Sequence, residues 1–147
     1  MSEISGKAFD EGCPYCTQNE KFMSSLIEIC QLKVSTLYLS KEQTYKGRCI
    51  VAYNSHATEL FDLDKETLQL FSEDVANAAA AIKKCFKPQK INYAAYGDLM
   101  PHLHFHLAPK YEGGHCWGRP FDANPDNKVL LNEAEYLEMA EVIKNAL

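Results

Sequence analysis

The sequence predicts an α+β fold, a predominantly antiparallel sheet of about five strands with flanking helices, from three observations. Short segments rich in Leu, Ile, Val and Tyr, bounded by polar or glycine-containing turns, read as strands. Over residues 64–86, Leu68, Phe71, Val75, Ala78, Ile82 and Cys85 recur at three- and four-residue steps, the period of one helical face. Residues 101–108 read PHLHFHLA, a strict alternation that on a strand turns His102, His104 and His106 to one face and Leu103, Phe105 and Leu107 to the core.

The elements follow in order. Residues 1–12 are polar and are expected to be disordered. CPYCTQNEKF forms a knuckle running into a short helix, with Pro14 setting the turn between Cys13 and Cys16. Residues 26–32 and 34–39 are strand candidates, and the polar stretch 40–48, with Gly47 near its end, is a loop returning the chain into a third strand over 49–53. Asp64 caps the long helix and Pro88 stops it beyond Phe86. A fourth strand, 91–96, ends at Gly97 and Asp98, a turn leading into the histidine strand. Residues 111–128 carry Gly113, Gly114, Gly118, Pro120 and Pro125 and read as a long loop. Asn132, with Glu135 three residues later, makes a capping box that opens a terminal helix with Tyr136, Ala140, Ile143 and Leu147 on one face.

A chain of 147 residues with this pattern is expected to form a single domain, residues 1–147, without disulfide staples. Its net charge of −5 argues against nucleic-acid polymers and membrane surfaces, which demand a basic face, while leaving room for a site that holds one phosphate. No stretch approaches the ~20 apolar residues of a membrane span, and the first residues lack an apolar run, so a cytoplasmic location is expected. Six cysteines include one close pair, Cys13 and Cys16; the other four are dispersed and read as reduced thiols.

The chain has five histidines in all, and three lie within five residues. Neighbours on one strand face sit roughly 6.5–7 Å apart, which suits imidazoles sharing a metal or surrounding a phosphoryl group. Cleaving a phosphorus ester or phosphoramidate needs an attacking group, charge stabilisers and an acid for the leaving group, and imidazoles can fill all three roles. The central His104 has a partner on each side, so the outer two can hold phosphate oxygens or metal and His104 can attack.

His102-Leu103-His104-Phe105-His106-Leu107-Ala108 matches, position for position, the His-φ-His-φ-His-φ-φ signature of the histidine triad family, with φ apolar. KINYAAYGD before it, the preceding helix, and YNSHATELF before that helix extend the resemblance over almost the whole chain, to a bacterial branch of the family. The resemblance implies a HIT-like fold and a nucleotide hydrolase or nucleotidyl transferase that attacks the α-phosphate of a nucleoside phosphoramidate, dinucleoside polyphosphate or adenylate through a nucleotidyl-histidine intermediate. His104 would be the nucleophile, His106 the phosphate contact and proton handler, and His56 the family's upstream histidine. Asn92 resembles the family asparagine on the preceding strand; read by itself, it equally bonds its own turn. Asp98 stands where many members place Gln or Asn, and Leu99 near a usual Ser or Thr. A carboxylate there repels phosphate unless protonated or paired. Two rival readings are a metal-dependent hydrolase whose metal is held jointly by His102, His104 and His106, and a slow-turnover nucleotide-binding protein.

Cys13 and Cys16 alone are half of a zinc site, a redox pair or two free thiols. Relatives carrying this knuckle, the distant galactose-1-phosphate uridylyltransferases among them, complete it with the upstream and first triad histidines. That resemblance implies a structural zinc on Cys13, Cys16, His56 and His102. With four protein ligands the ion would have no open position for hydrolysis. Family members bind a purine in an apolar cleft of the early strands, for which Leu26, Ile27 and Leu37 are candidates, although apolar strand residues are as readily simple core. Trp117, beside His115 and Arg119 in the glycine-rich loop, reads as a ligand or subunit contact or a local anchor. Family members commonly form two-fold dimers by joining sheets and packing helices. Ala76, Ala78, Ala79, Ala80 and Ala81 would permit such an approach, so a homodimer is expected.

Overall fold

The structure is a computed structural model that describes residues 9–147; the expectation of disorder over 1–12 lies largely outside these residues. Five strands form one antiparallel sheet in the order β1-β2-β3-β5-β4. They are β1 (Leu26–Gln31), β2 (Ser35–Ser40), β3 (Cys49–Tyr53), β4 (Lys90–Ala94) and β5 (His104–Lys110). Four helices accompany them: α1 (Pro14–Thr17), α2 (Glu20–Met23), α3 (Lys65–Phe86) and α4 (Glu133–Asn145). The α+β expectation is met.

The alternation of each strand divides the sheet into two environments. One face holds Leu37, Leu39, Cys49, Val51, Leu103 and Leu107, all buried beneath α3 and α4. Full burial of each such aliphatic side chain contributes about 1.5–3 kcal/mol, so this face supplies most of the stability. From above, α3 adds Phe71, Val75, Ala78, Ala79, Ala81 and Ile82, and α4 adds Tyr136 and Ile143. The other face carries Tyr38, Ile50 and Ala52 under the N-terminal knuckle, with His104 and His106 beside them on β5.

The expected caps are in place. Asp64 Oδ1 accepts from the Thr67 amide at 2.8 Å, and α3 ends at Lys87 in the left-handed region (φ 53°) just before Pro88. Asn132 and Glu135 form the reciprocal capping box of α4. On α4, Tyr136 and Ile143 are buried, whereas Leu147, expected on the same face, is exposed. One buried acid inside α3 had no sequence signal. Asp74 accepts from the Lys33 amide (3.0 Å), the Val34 amide (2.9 Å) and Ser35 Oγ (2.7 Å), satisfying the β1-β2 turn and fastening it to the helix.

Two boundaries differ from expectation. The histidine strand starts at His104 rather than 101, because the chain before it bonds elsewhere: the Leu103 amide donates to Ala57 O at 2.7 Å and the Tyr53 amide to Leu103 O at 3.0 Å. β4 ends at Ala94 rather than 96. Of the alanines of α3, Ala76 and Ala80 are exposed and the other three are not. Ala78, Ala79 and Ala81 are buried in the chain's own core, where their small size lets the helix approach the sheet.

No helix or strand occurs over 111–128. Lys110, buried at the end of β5, pins that loop by donating from Nζ to Cys116 O (2.7 Å), Arg119 O (2.6 Å) and Asn92 Oδ1 (3.4 Å). Gly47, just before β3, is held against Phe86: a Cβ there would lie 2.5 Å from the ring, and its φ of +95° is strained for any side chain. No helix among the described residues is long and apolar enough to cross a membrane.

Candidate active site and metal centre

Cys13 is the N-cap of α1 and Pro14 its first helical residue, so the CxxC closes as a single helical turn with the Cys16 amide 3.5 Å from Cys13 Sγ. That turn carries both sulfurs to two histidines far along the chain. Cys13 Sγ lies 3.2 Å from His102 Nδ1. Cys16 Sγ lies 3.4 Å from His56 Nδ1 and 3.7 Å from His102 Nδ1. The two imidazole Nδ1 atoms are 3.3 Å apart, and all four ligand atoms fall within 4.8 Å of one another. Around a tetrahedral ion with two sulfur and two nitrogen ligands, neighbouring donors lie roughly 3.3–3.8 Å apart. The observed spacings are of that size, so the cluster can hold a metal ion.

Hydrogen bonding fixes how the histidines face the cluster. His102 Nε2 donates to Tyr53 O at 2.7 Å, which leaves Nδ1 as the lone-pair nitrogen turned to the sulfurs. On the other ring, His56 Nε2 faces Asp10 Oδ2 at 3.7 Å. A carbonyl behind one ligand and a carboxylate behind the other are the partners that orient metal-binding imidazoles. Burial first, then the neighbouring His56, hold the His102 pKa down to about 4, so the ring keeps its lone pair at neutral pH. Burial also pushes the Cys13 thiol up; a bound cation acts in the opposite sense and favours thiolate.

His104 and His106 lie beyond this cluster, on the floor of a cleft of about 380 Å³ lined by Tyr15, Phe22, Leu26, Ile50, Tyr96 and residues 97–100. Their rings are 5.2 Å apart, edge to face. His104 Nδ1 is 2.5 Å from His102 O, an acceptor only, so Nδ1 carries the proton and Nε2 the free lone pair. His106 is the opposite case. Its Nδ1 faces the Arg48 Nη2 group at 3.4 Å, and a guanidinium only donates, so Nδ1 is the lone pair and Nε2 carries the proton. Burial, the larger cause, outweighs the bond to His102 O and lowers the His104 pKa. Burial, then Arg48 and His104, push His106 down to about 3. Both rings are therefore neutral at pH 7, one offering a nucleophilic nitrogen and the other an N–H.

Several sequence expectations are placed differently. Leu26, Asp98 and Leu99 line the cleft, Leu99 almost fully exposed at 96 %. Ile27 and Leu37 do not. Both belong to the core under α3 and α4, because alternation turns them to the face opposite the histidines. Asn92 is also away from the histidines: His106 pairs across the ladder with Ala94, and Asn92, two residues farther, pairs with Ala108 and accepts from Lys110. Trp117 shares a separate surface pocket with Asn92, Lys90 and Arg119. His102 turns both nitrogens away from the cleft, so the ring nitrogens of the three triad histidines do not converge on one point.

Arg48, Tyr15 and Tyr96 carried no sequence signal as site residues. Tyr15, buried between the cysteines, stacks on His102 at 4.9 Å and lies 5.2 Å from His104, linking the knuckle to the cleft. Tyr96 packs 5.5 Å from His106.

Comparison with known proteins places this geometry. The HIT domain profile matches residues 27–113, more than half of the chain, and includes His56 and the three triad histidines. The chain belongs to the HIT domain family. It is 33 % identical over 92 residues to an uncharacterized HIT-like protein of Mycoplasma genitalium, a match covering 59 % of this chain and 64 % of that relative. The chain thus spans just under two thirds of the curated relative it matches. A histidine triad protein from Sinorhizobium meliloti superposes with a TM-score of 0.80 at 23 % identity, over 88 % of this chain and 95 % of that one. A Zn-bound histidine triad family protein from Mycobacterium smegmatis superposes with a TM-score of 0.64 at 18 % identity, over 92 % of both chains. At these identities the structures establish the HIT fold. Cys13 and Cys16 precede the matched region, so family membership rests on the chain from β1 through α3 to just past the histidine strand.

Proposed function

We propose that this HIT protein is a nucleotide hydrolase or nucleotidyl transferase that works through a covalent nucleotidyl-His104. The observation that carries the reading is the pair of opposite Nδ1 partners, the acceptor His102 O behind His104 and the donor Arg48 Nη2 behind His106, which favour a lone pair on His104 Nε2 beside an N–H on His106 Nε2. His104 Nε2 attacks the α-phosphorus of a nucleoside phosphoramidate, dinucleoside polyphosphate or adenylate. A P–N bond forms, the bond to the leaving group breaks with its electron pair, His106 Nε2–H donates a hydrogen bond to the charge that develops there, and the leaving group takes its proton from solvent. Water or a second substrate then attacks the same phosphorus from the other side; its proton passes to solvent, and the P–N bond breaks to restore neutral His104.

The apolar walls of the cleft, Leu26, Phe22, Ile50 and Tyr15, suit a purine base. Asp98 at the rim disfavours a highly charged polyphosphate leaving group, since it brings a carboxylate to the phosphate side. That ranks phosphoramidates and acyl or sulfo adenylates ahead of dinucleoside polyphosphates.

Zinc is the ion we assign to Cys13, Cys16, His56 and His102, because two thiolates and two imidazoles in a closed tetrahedral set are its structural ligands. Its contribution is to clip the α1 turn, and with it Tyr15, against the end of the histidine strand. A homodimer joined through the free edge of β4 remains the proposed assembly, and light scattering of the intact chain tests it.

The test is to incubate the protein with a panel of adenylated substrates, quench with base and read the intact mass and the peptide containing His104. The expected result is a nucleotidyl increment on His104, absent from His104→Ala. Nucleotide binding with no increment and no turnover across the panel would establish the slow-turnover binding protein instead.

A further inference from the structure

Arg48, behind His106 and outside the lining of the cleft, is a charged group whose burial the fold itself does not explain. The residue is only 5 % exposed. Among the described residues no carboxylate lies within ion-pair distance of it, and its Nε is buried without a hydrogen-bond partner. What it does touch is specific: Nη2 faces His106 Nδ1 at 3.4 Å and donates to Ala123 O at 3.1 Å, and the guanidinium lies over the Phe121 ring at 5.3 Å. Phe121 packs in turn 5.9 Å from His106. Burying a cation with an orphaned N–H and no counterion costs free energy. An apolar side chain at this position would relieve that cost, so the residue is better explained by what it does to its neighbour.

We propose that Arg48 is a positioning residue that selects the Nε2–H tautomer of His106 and couples that choice to the seating of the 111–128 loop through Ala123 and Phe121. This deepens the proposed function and rests on it for its consequence, since the N–H that meets the charge developing at the leaving group is the one held on His106 Nε2. The chemistry is one of complementarity. His106 in the other tautomer would aim an N–H at a group that can only donate, and would present to the leaving group a lone pair in place of a hydrogen-bond donor. The local sequence fits the task. Gly47 turns the chain tightly against Phe86, and β3 begins at the next-but-one residue, paired so that Ile50 faces His106 across the ladder. Arg48 thus enters beside His106 from the neighbouring strand.

The experiment reads the tautomer directly. In protein labelled with ¹⁵N-histidine, the ring-nitrogen shifts of His106, assigned by their loss in His106→Gln, report which nitrogen bears hydrogen. The wild type is expected to show Nε2–H. Arg48→Met, which cannot donate, is expected to populate Nδ1–H and to lose about tenfold to a hundredfold in kcat with KM within threefold. Arg48→Lys, which can only donate, should retain Nε2–H and restore most of the rate. A wild type with Nδ1–H, or an Arg48→Met variant that keeps Nε2–H whatever its rate, overturns the proposal. If Arg48→Met fails to fold, Arg48→Leu makes the same comparison, and a wild type with Nδ1–H overturns the proposal without any variant. Absence of turnover and of His104 labelling in the wild type would instead defeat the proposed function, with the spectra still deciding Arg48.

Discussion

His102 and His104 are two residues apart, yet the structure puts them in different trades. His102, just before β5, has both ring nitrogens engaged: Nδ1 toward the two cysteines and His56, and Nε2 on Tyr53 O. His104 and His106, within β5, each spend only Nδ1 on the protein, on His102 O and Arg48 respectively, and leave Nε2 for the cleft. Three imidazoles that look equivalent in PHLHFH are thus sorted by what holds their second nitrogen. A histidine with both nitrogens committed is structure, and one with a single nitrogen committed can react.

That contrast is most easily broken at His104. His104→Ala should lower turnover by about 10³-fold or more, with no adduct, while nucleotide binding and the fold persist; residual turnover within tenfold of wild type would place the nucleophile elsewhere. Next in size is the contrast between the two sheet faces. Leu37→Ala, on the helix side, should cost about 2–5 kcal/mol in denaturant unfolding and leave KM unchanged. Leu26→Ala, in the cleft wall, should do the reverse: raise KM severalfold and cost under about 1 kcal/mol. Equal stability losses would mean that the faces are not divided as described.

A smaller effect separates the buried rings from solvent-exposed ones. The His106 pKa in the fold, about 3, lies below its ordinary value. The stability from keeping it neutral is therefore full above about pH 6.5 and lost as the pH falls below that, at up to about 1.4 kcal/mol per pH unit. Urea unfolding at pH 6.5 and pH 5 should differ by about 2 kcal/mol from this group. His106→Gln should remove that increment; an unchanged slope would show that the ring is not held neutral by the fold.

Much of the fold was legible because period and capping report local geometry. Alternation exposed the histidine strand, the three-four spacing of Leu68 to Cys85 exposed α3, and Asn132 with Glu135 marked the start of α4. Alternation also separates the two faces of a strand, but it does not say which face meets a ligand. Ile27 and Leu37 were therefore indistinguishable from Leu26 until the register was known. Boundaries shifted where tertiary bonds competed with the ladder, as at His102 and Leu103. The metal cluster was legible only through family resemblance, since nothing in the spacing of Cys13, Cys16, His56 and His102 brings them together without the fold. Arg48 was silent because it ends a polar loop and its partners lie 58 and 75 positions away.

The division of labour between neighbouring histidines is tested most directly by metal content. Protein purified without added metal, with zinc counted per chain by elemental mass spectrometry, is compared among wild type, His102→Ala and His104→Ala. The account predicts about one ion per chain in the wild type and in His104→Ala, and a loss of most of it in His102→Ala. If His104→Ala loses the ion as completely as His102→Ala, the two histidines share one site and the account is contradicted.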